Sequence, residues 1–378
     1  MKILVTGAKG FLGRNLVENL KNIKYGKSKK YPQTDIEIFE YDIDTPQEMF
    51  SVWAKEADFV YHLAGVNRPK DKSEFYSGNT DLTKTLLDLL SQAKKSPIML
   101  SSTIWASGDT DYGKSKRAAE DAVLEYSKNT GAKSYVYRFT NLFGKWTRPG
   151  YNSVVATFCY NVANDLPITI NDENAQITLN YVDDVVYELI DALFGNEHRE
   201  GNYCYVPTSH TVTLGKLAEI IRSFKDKNKT AFMPDCKDEF TKKLYAMYLT
   251  YVPQQDLAFA SVTNSDVRGS FTELYKCNFG EQVSLNVVKP NQLKGNHWHN
   301  TKIERFTIIG GQGVIRLRKL GTTEVLEYKN QVGEVLNVDI PAGYTHNMEN
   351  LGQEDMLVII WCNEPFNPNN PDTFFEEV

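Results

Sequence analysis

The chain has 378 residues, 41% hydrophobic and 24% charged, with a formal net charge of −6. That length exceeds what one hydrophobic core usually serves and predicts two domains, while the acidic balance excludes broad binding to nucleic-acid backbone, which needs a basic face. No apolar run is long enough for a bilayer, no small-residue cleavage site follows the N-terminus, and five scattered cysteines suit a reducing cytoplasm, so no membrane partner and a cytoplasmic location are expected.

In the first half, short apolar runs at Lys2–Thr6, Ile36–Tyr41, Phe59–Leu63, Ile98–Ser101 and Tyr135–Phe139 predict strands. Stretches with helical spacing alternate with them at Arg14–Asn22, Gln47–Lys55, Leu82–Lys94 and Lys114–Asn129. This alternation predicts an α/β fold with a doubly wound parallel sheet covered on both faces. The basic stretch Lys24–Lys30 reads as a solvated loop. Asp238–Tyr251 reads as the last helix of a first domain spanning 1–252, and Pro253–Asp256 as a linker to a second domain, 253–378. From Val267 the texture changes to short strand-like segments between Gly, Asn and Pro: Gln282–Val288, Glu304–Ile309, Val314–Arg318, Glu324–Tyr328, Val335–Ile340 and Met356–Trp361. These predict an all-β sandwich or barrel.

The first strand leads into Gly7-Ala-Lys-Gly10-Phe-Leu-Gly13 and then a helix. Glycines there let the backbone turn tightly and approach a pyrophosphate held at the helix N-terminus. The candidate nucleotide-binding set is Gly7, Lys9, Gly10, Phe11, Leu12 and Gly13, with Asp42, Leu63, Ala64 and Gly65. Downstream, Ser101-Ser102-Thr103 follows a strand and Tyr112-Gly-Lys-Ser-Lys116 opens a helix, so Tyr112 and Lys116 share a helix face. An ammonium beside a phenol favours phenolate, which predicts a Tyr112 acidity drawn toward neutrality.

In order along the chain, TGAKGFLG (Thr6–Gly13), HLAG (His62–Gly65), LSST (Leu100–Thr103), YGKSK (Tyr112–Lys116), RFTNLFG (Arg138–Gly144) and YVDDVV (Tyr181–Val186) resemble the extended short-chain dehydrogenase/reductase family, with its Rossmann-like fold, over about residues 1–250. The resemblance implies Tyr112 as proton donor to a ketone, Lys116 as its partner and ribose anchor, and Thr103 as the hydroxyl orienting the carbonyl, with Ser102 as the alternative. It places Asn141, Asn152 and Ser153 against a nucleotide diphosphate. The arginine that relatives often carry before YVDD is absent, since Ile177 and Thr178 stand there. On cofactor choice two signals conflict. Asp42 suits a ribose 2′-hydroxyl and NADH, whereas Lys9 and Lys27, Lys29 or Lys30 suit a 2′-phosphate; NADPH is the expectation, with NADH as the alternative.

Three of the six histidines fall in two segments, Gly295-Asn-His297-Trp-His299-Asn-Thr-Lys-Ile-Glu304 and Pro341-Ala-Gly343-Tyr-Thr-His346-Asn-Met-Glu-Asn350. On a strand, His297 and His299 point the same way because the side-chain period is two. Three imidazoles and a carboxylate, His297, His299, Glu304 and His346, suit a zinc, iron, manganese or nickel ion. Both segments resemble the two cupin motifs, which implies a jelly-roll domain. Asp266-Val-Arg268-Gly269 resembles the entry of sugar-nucleotide cupins, among them deoxysugar 3,5-epimerases, and makes Arg268 a candidate diphosphate contact.

A reductase followed by a cupin resembles the bifunctional capsular polysaccharide synthesis enzymes. The resemblance implies a UDP-linked 4-keto-6-deoxy sugar as substrate, C3 epimerisation of a UDP-2-acetamido-2,6-dideoxy-4-hexulose by the cupin, and NADPH reduction at C4 to UDP-N-acetyl-L-talosamine. It also implies Zn2+ in the cupin and a homodimer. The base of the epimerisation stays open between Tyr344 and Glu273. A reductase-family epimerase or dehydratase with tightly held NAD, its cupin serving only binding or dimerisation, is the competing reading; Ile104-Trp105 after Thr103 argues against dehydration.

Overall fold

Successive side chains of a strand address opposite faces of its sheet, and β1 (Lys2–Thr6) sends Ile3 and Val5 into one buried cluster and Leu4 into another. The same split recurs on β3 (Phe59–His62), which follows β2 (Glu37–Tyr41), and on β4 (Ile98–Thr103) and β5 (Ser134–Phe139). A strand apolar on both faces needs a helical layer on each side. One layer is α1 (Phe11–Lys24), whose Leu12, Leu16, Leu20 and Ile23 recur at helical spacing. The opposite layer holds α2 (Gln47–Glu56), α3 (Leu82–Ser91) and α4 (Asp111–Thr130). Each fully buried Leu or Ile contributes about 1.5–3 kcal/mol relative to exposure.

The computed structural model describes residues 1–225, 231–277, 280–369 and 371–378. A small sheet is built from β6 (Asn141–Phe143), β7 (Gln176–Tyr181) and a strand at His210–Thr213. The main sheet also takes in β8 (Arg199–Glu200) and β9 (Tyr203–Cys204), giving the order β2-β1-β3-β4-β5-β9-β8. All its pairings are parallel except β8 with β9. Counting the His210–Thr213 strand as β10, the small sheet runs β10-β7-β6. The helix α5 (Val182–Leu193) covers the same face as α1. Among the described residues no helix is long and apolar enough to cross a membrane.

The chain divides into two units, 1–161 with 166–218, and 162–165 with 219–378. The expected division after residue 252 therefore falls inside the second unit. The physical reason is strand pairing: β11 (Phe232–Met233) joins β13 (Gly269–Cys277) in parallel. The expected helix at Asp238–Tyr251 is α6 (Glu239–Leu249), capped by the Asp238 side chain.

The second unit is a pair of sheets. One contains β12 (Thr263–Asp266), β13, β14 (Glu281–Val288), β16 (Glu304–Gly310), β19 (Leu336–Ile340) and β21 (Met356–Cys362). The other runs β18-β17-β20-β15-β22, from Val325–Lys329, Gly313–Lys319, Tyr344–Asn350, Leu293–Trp298 and Phe374–Phe375 respectively. Val288, Phe306, Ile308 and Val358 of the first sheet and Ile315, Leu317 and Met348 of the second share one buried cluster. Antiparallel sheets facing each other across such a core form the expected cupin-like β domain.

Candidate active site and metal centre

At the carboxyl end of β1, Gly7 adopts φ +70°, and a Cβ there would meet the Ala64 nitrogen at 2.8 Å, so the turn lies directly against the end of β3. A Cβ on Gly13 would stand 2.0 Å from the Gly7 carbonyl oxygen. These close approaches require glycine and leave the α1 N-terminus open, where Gly10 is the N-cap and makes no side-chain cap hydrogen bond. Phe11 and Leu12 pack into the core cluster, so what they present to a nucleotide is backbone N–H. At the end of β2 the Asp42 carboxylate accepts the Lys9 backbone N–H at 2.7 Å, and the Lys9 ammonium pairs with Asp44. Lys9 and Asp42 thus meet, as a nucleotide-discriminating pair would. Lys30, another expected phosphate partner, is paired with Asp191 at 2.9 Å.

Thr103 ends β4, and Tyr112 lies in the first turn of α4, a helix started by the Thr110 side chain accepting the Gly113 N–H at 3.1 Å. Burial raises the Tyr112 pKa, and the nearby Thr103 hydroxyl, which also accepts the Trp105 N–H at 3.3 Å, only partly offsets it. The expectation that Lys116 lowers it is corrected: Lys116 donates from Nζ to the Ser101 carbonyl at 2.8 Å and is not a cause acting on the phenol. Burial lowers the Lys116 pKa to about 8, against the opposing charge of Glu120. Its ammonium lies 3.2 Å, and Asn79 Oδ1 2.8 Å, from where a Gly65 Cβ would be, so any side chain at 65 would crowd the lysine.

Ser102, the alternative hydroxyl, is taken: it donates to Glu120, whose carboxylate also accepts Arg138 Nε at 3.0 Å and Nη2 at 2.6 Å. Thr103 is therefore the hydroxyl facing the tyrosine. Two residues without an assigned role complete the arrangement. His62 is buried and held neutral, its pKa lowered to about 3 by desolvation and then by the Lys116 charge, between Thr6 Oγ1 at 2.7 Å and Thr83 Oγ1 at 2.9 Å. Asn79 sits in a π-helical stretch, Tyr76–Asp81, and donates to Ser115 Oγ at 3.0 Å and Val66 O at 3.0 Å. Such π-turns gather at functional sites, but no periodicity announces one.

Other expected contacts are less drawn together. Asn141 begins β6 and reaches the Thr178 carbonyl at 3.5 Å. Ser153 accepts the Ala156 N–H at 3.2 Å, capping the helix at Val154–Ala163, and Asn152 is exposed. A cavity of about 800 Å³ between Lys128, Lys133, Glu197 and Arg199 lies at the start of β5. Parallel sheets bind ligands at the opposite, carboxyl ends of their strands.

In the second unit, β15 and β20 pair antiparallel with a shift between Gly295 and His297 that sets His297 opposite His346. Asn296 has φ +60° at this bulge, and bulges re-aim side chains near sites. β15 ends at Trp298, so His299 lies past the strand rather than on it. The donor atoms of His297, His299, Glu304 and His346 nevertheless all lie within 4.8 Å of one another. Glu304 Oε2 is 3.3 Å from His299 Nε2 and 3.1 Å from His346 Nε2. All three atoms are buried without a hydrogen bond of good geometry. Buried polar atoms normally have partners, so this donor set fits a divalent cation. His346 Nδ1 faces the Tyr344 carbonyl at 3.2 Å and His299 Nδ1 the Asp372 carbonyl, which turns both Nε2 atoms to the centre. Burial, then the charge of His346, lowers the His297 pKa to about 4, and it is a neutral ligand at pH 7. Burial pushes the Glu304 carboxyl up, but His299 and His346 outweigh it and hold it below the usual range.

His297 also lines a cavity of about 390 Å³ with Asp266, Arg268, Phe271, Asn286 and Lys294. Arg268 is folded back onto Asp266 at 2.7 Å in an exposed pair. Of the two candidate bases, Glu273 pairs with Lys276 at 2.6 Å, and the Tyr344 ring packs on the barrel core.

Residues 3–200 match the NAD dependent epimerase/dehydratase family, and residues 264–374 the polysaccharide biosynthesis C-terminal domain. A UDP-2-acetamido-2,6-beta-L-arabino-hexul-4-ose reductase of Pseudomonas aeruginosa is 35% identical over 375 residues, covering 99% of this chain and 98% of the relative. The crystal structure of the capsular polysaccharide assembling protein CapF from Staphylococcus aureus superposes with a TM-score of 0.91 and 45% identity, covering all of both chains. A UDP-glucuronic acid 4-epimerase from Bacillus cereus in complex with NAD shares only the fold of the first part, with a TM-score of 0.51 and 22% identity over 66% of this chain and 96% of the other. Full-length similarity of this order, on the geometry above, shows that the chain belongs to the NAD dependent epimerase/dehydratase family and is a CapF-like enzyme.

Proposed function

We propose that this chain is a bifunctional enzyme of capsule precursor synthesis: its C-terminal domain epimerises C3 of a UDP-2-acetamido-2,6-dideoxy-4-hexulose, and its N-terminal domain reduces the C4 ketone with NADPH to UDP-N-acetyl-L-talosamine. The Pseudomonas relative named as a reductase of such a sugar supports the substrate class. The observation that carries the reading is the Thr103–Tyr112 pair at the end of β4, with Lys116 buried beside it.

The Gly7–Gly13 turn would hold a nicotinamide nucleotide, which would supply the hydride for C4 when bound. Tyr112 then delivers its phenolic proton to the C4 oxygen, so that carbonyl, hydride and proton balance to an alcohol. Thr103 orients that oxygen through its hydroxyl, and Lys116 would hold the ribose hydroxyls of the nucleotide. The raised Tyr112 pKa favours this role, since the phenol keeps the proton it must donate. NADPH fits better than NADH because Asp42 is already engaged by the Lys9 N–H, whereas Lys9 is held only by an exposed pair of small worth and is free to meet a 2′-phosphate. Asn141, Asn152 and Ser153 are the proposed diphosphate contacts of this domain.

In the second unit His297, His299, Glu304 and His346 would hold a zinc ion. A cation held there would polarise a keto oxygen and make the neighbouring C–H more acidic. Arg268, once it leaves Asp266, reaches the diphosphate from the rim of the cavity that His297 lines. Tyr344 is the stronger candidate base, because Glu273 is committed to Lys276. A homodimer belongs to the same reading, and sedimentation of the full chain tests it.

The deciding experiment feeds the UDP-4-keto sugar to the full chain with NADPH in deuterated water and identifies the product by NMR. Deuterium at C3 with NADPH consumed supports both activities. Unlabelled C3, or no net oxidation of NADPH, overturns the corresponding half. Turnover with NADH matching that with NADPH overturns the cofactor assignment.

A further inference from the structure

The strand carrying His297 stops at Trp298, so the pleat that orients His297 does nothing for His299. What holds His299 is a segment more than seventy residues further on. Its Nδ1 contacts the Asp372 backbone carbonyl. A carbonyl only accepts, so Nδ1 carries the proton and Nε2 presents its lone pair to Glu304 and His346. The Asp372 carboxylate in turn accepts the backbone N–H groups of Asn300 at 2.9 Å, Thr301 at 2.8 Å and Lys302 at 3.0 Å, and the Thr301 hydroxyl at 3.1 Å. One residue thereby fixes both the ring and the loop running from His299 to Glu304.

The residues after it strap the remaining ligands. Phe374 and Phe375 pair with Trp298 and His297 on β15, and the Phe374 and Trp298 rings lie 4.9 Å apart. The Glu376 N–H donates to the Asn296 carbonyl at 3.1 Å, beside the bulge that aims His297. Its carbonyl accepts Thr345 Oγ1 at 2.5 Å, next to His346, and its carboxylate takes Arg318 at 2.8 Å.

We infer that the C-terminal segment Asp372–Glu377 is a positioning element of the metal centre, with Asp372 setting the tautomer and direction of His299. This inference rests on the reading of His297, His299, Glu304 and His346 as metal ligands. Groups that orient ligating histidines typically change metal affinity 10–100-fold when lost.

Cobalt(II) titration of the metal-stripped full chain, followed by its visible ligand-field spectrum, tests it. Asp372→Ala keeps the backbone carbonyl but removes the carboxylate that ties it to residues 300–302, and is expected to bind cobalt 10–100-fold more weakly than wild type and to shift the band, because that carbonyl and the His299 ring it orients lose their fixed position. A chain ending at Pro371 loses at least as much. Lys329→Gln, on the exposed edge strand β18, leaves affinity and band unchanged. If the alanine variant loses its fold by circular dichroism, Asp372→Asn, which keeps one acceptor oxygen, takes its place with a smaller loss of the same sign. A folded Asp372→Ala chain with wild-type affinity and an unchanged band overturns the inference while the metal reading stands. A wild-type chain whose cobalt uptake is absent, or is indifferent to His346→Ala, overturns the metal reading and the positioning role with it.

Discussion

Lys116 Nζ donates to the Ser101 carbonyl at 2.8 Å, anchoring a buried ammonium beneath the end of β4. Burial lowers its pKa to about 8, below the ordinary 10.5. Between about pH 8 and 10.5 the unfolded chain therefore binds the extra proton, and this group's contribution to stability rises with pH across that window; below pH 8 its penalty is fully present. Lys116→Met is expected to gain stability at pH 7, on the order of 1 kcal/mol, and to lose that advantage by pH 10. Urea midpoints of variant and wild type at both pH values read it, and a gain that grew with pH would contradict the burial argument.

The phenol gives a second prediction. Burial keeps Tyr112 protonated through neutral pH, with Thr103 as its partner. Tyr112→Phe removes the proposed proton donor while leaving the ring, and ketone reduction is expected to fall about 10²–10⁴-fold. Nucleotide affinity, measured by fluorescence titration, stays at the wild-type value. Equal loss of both would mean that the ring supports the fold and not the chemistry.

Behind the site, Glu120 is fully buried and its charge is balanced by Arg138 at 2.6 Å. Arg138→Met strands that carboxylate, an event that usually costs about 3–5 kcal/mol. Guanidinium denaturation of the first transition measures it. A loss below about 1 kcal/mol would show that Glu120 takes up a proton or water without difficulty.

Much of this architecture was legible in the sequence because the periodicities are strong. Ile3, Val5 and Leu4 address both faces of one strand, and Leu12, Leu16, Leu20 and Ile23 mark one helical face. The four candidate metal ligands stand out because so few histidines are present. What spacing does not carry is side-chain direction. Tyr112 and Lys116 share a helix face, yet a backbone acceptor captures the ammonium. His299 looks like a strand residue two after His297, but a bulge at Asn296 and the end of β15 intervene, and a distant carbonyl orients it. The strand Phe232–Met233 escapes the sequence for a similar reason: two residues are too short to announce a strand, and only its partner Lys276–Cys277 gives it one.

The last prediction separates the two proposed activities. A Cβ at Gly13 would lie 2.0 Å from the Gly7 carbonyl oxygen and 2.9 Å from the Ala8 Cα. Both are backbone atoms of the glycine turn, so Gly13→Ala relieves the clash only by opening that turn. Nucleotide binding is expected to weaken at least tenfold, about 1.4 kcal/mol. The barrel around His346 has no part in that clash, so the variant should still exchange C3 hydrogen of the keto sugar with deuterated water while failing to reduce it. His346→Ala should do the reverse: it removes a buried donor whose partners are Glu304 and the other two rings, and leaves the glycine turn untouched. NMR of recovered sugar and NADPH absorbance, read on both variants, give four outcomes. If Gly13→Ala abolished C3 exchange, epimerisation would depend on the bound nucleotide, and the assignment of that step to the barrel alone would fail.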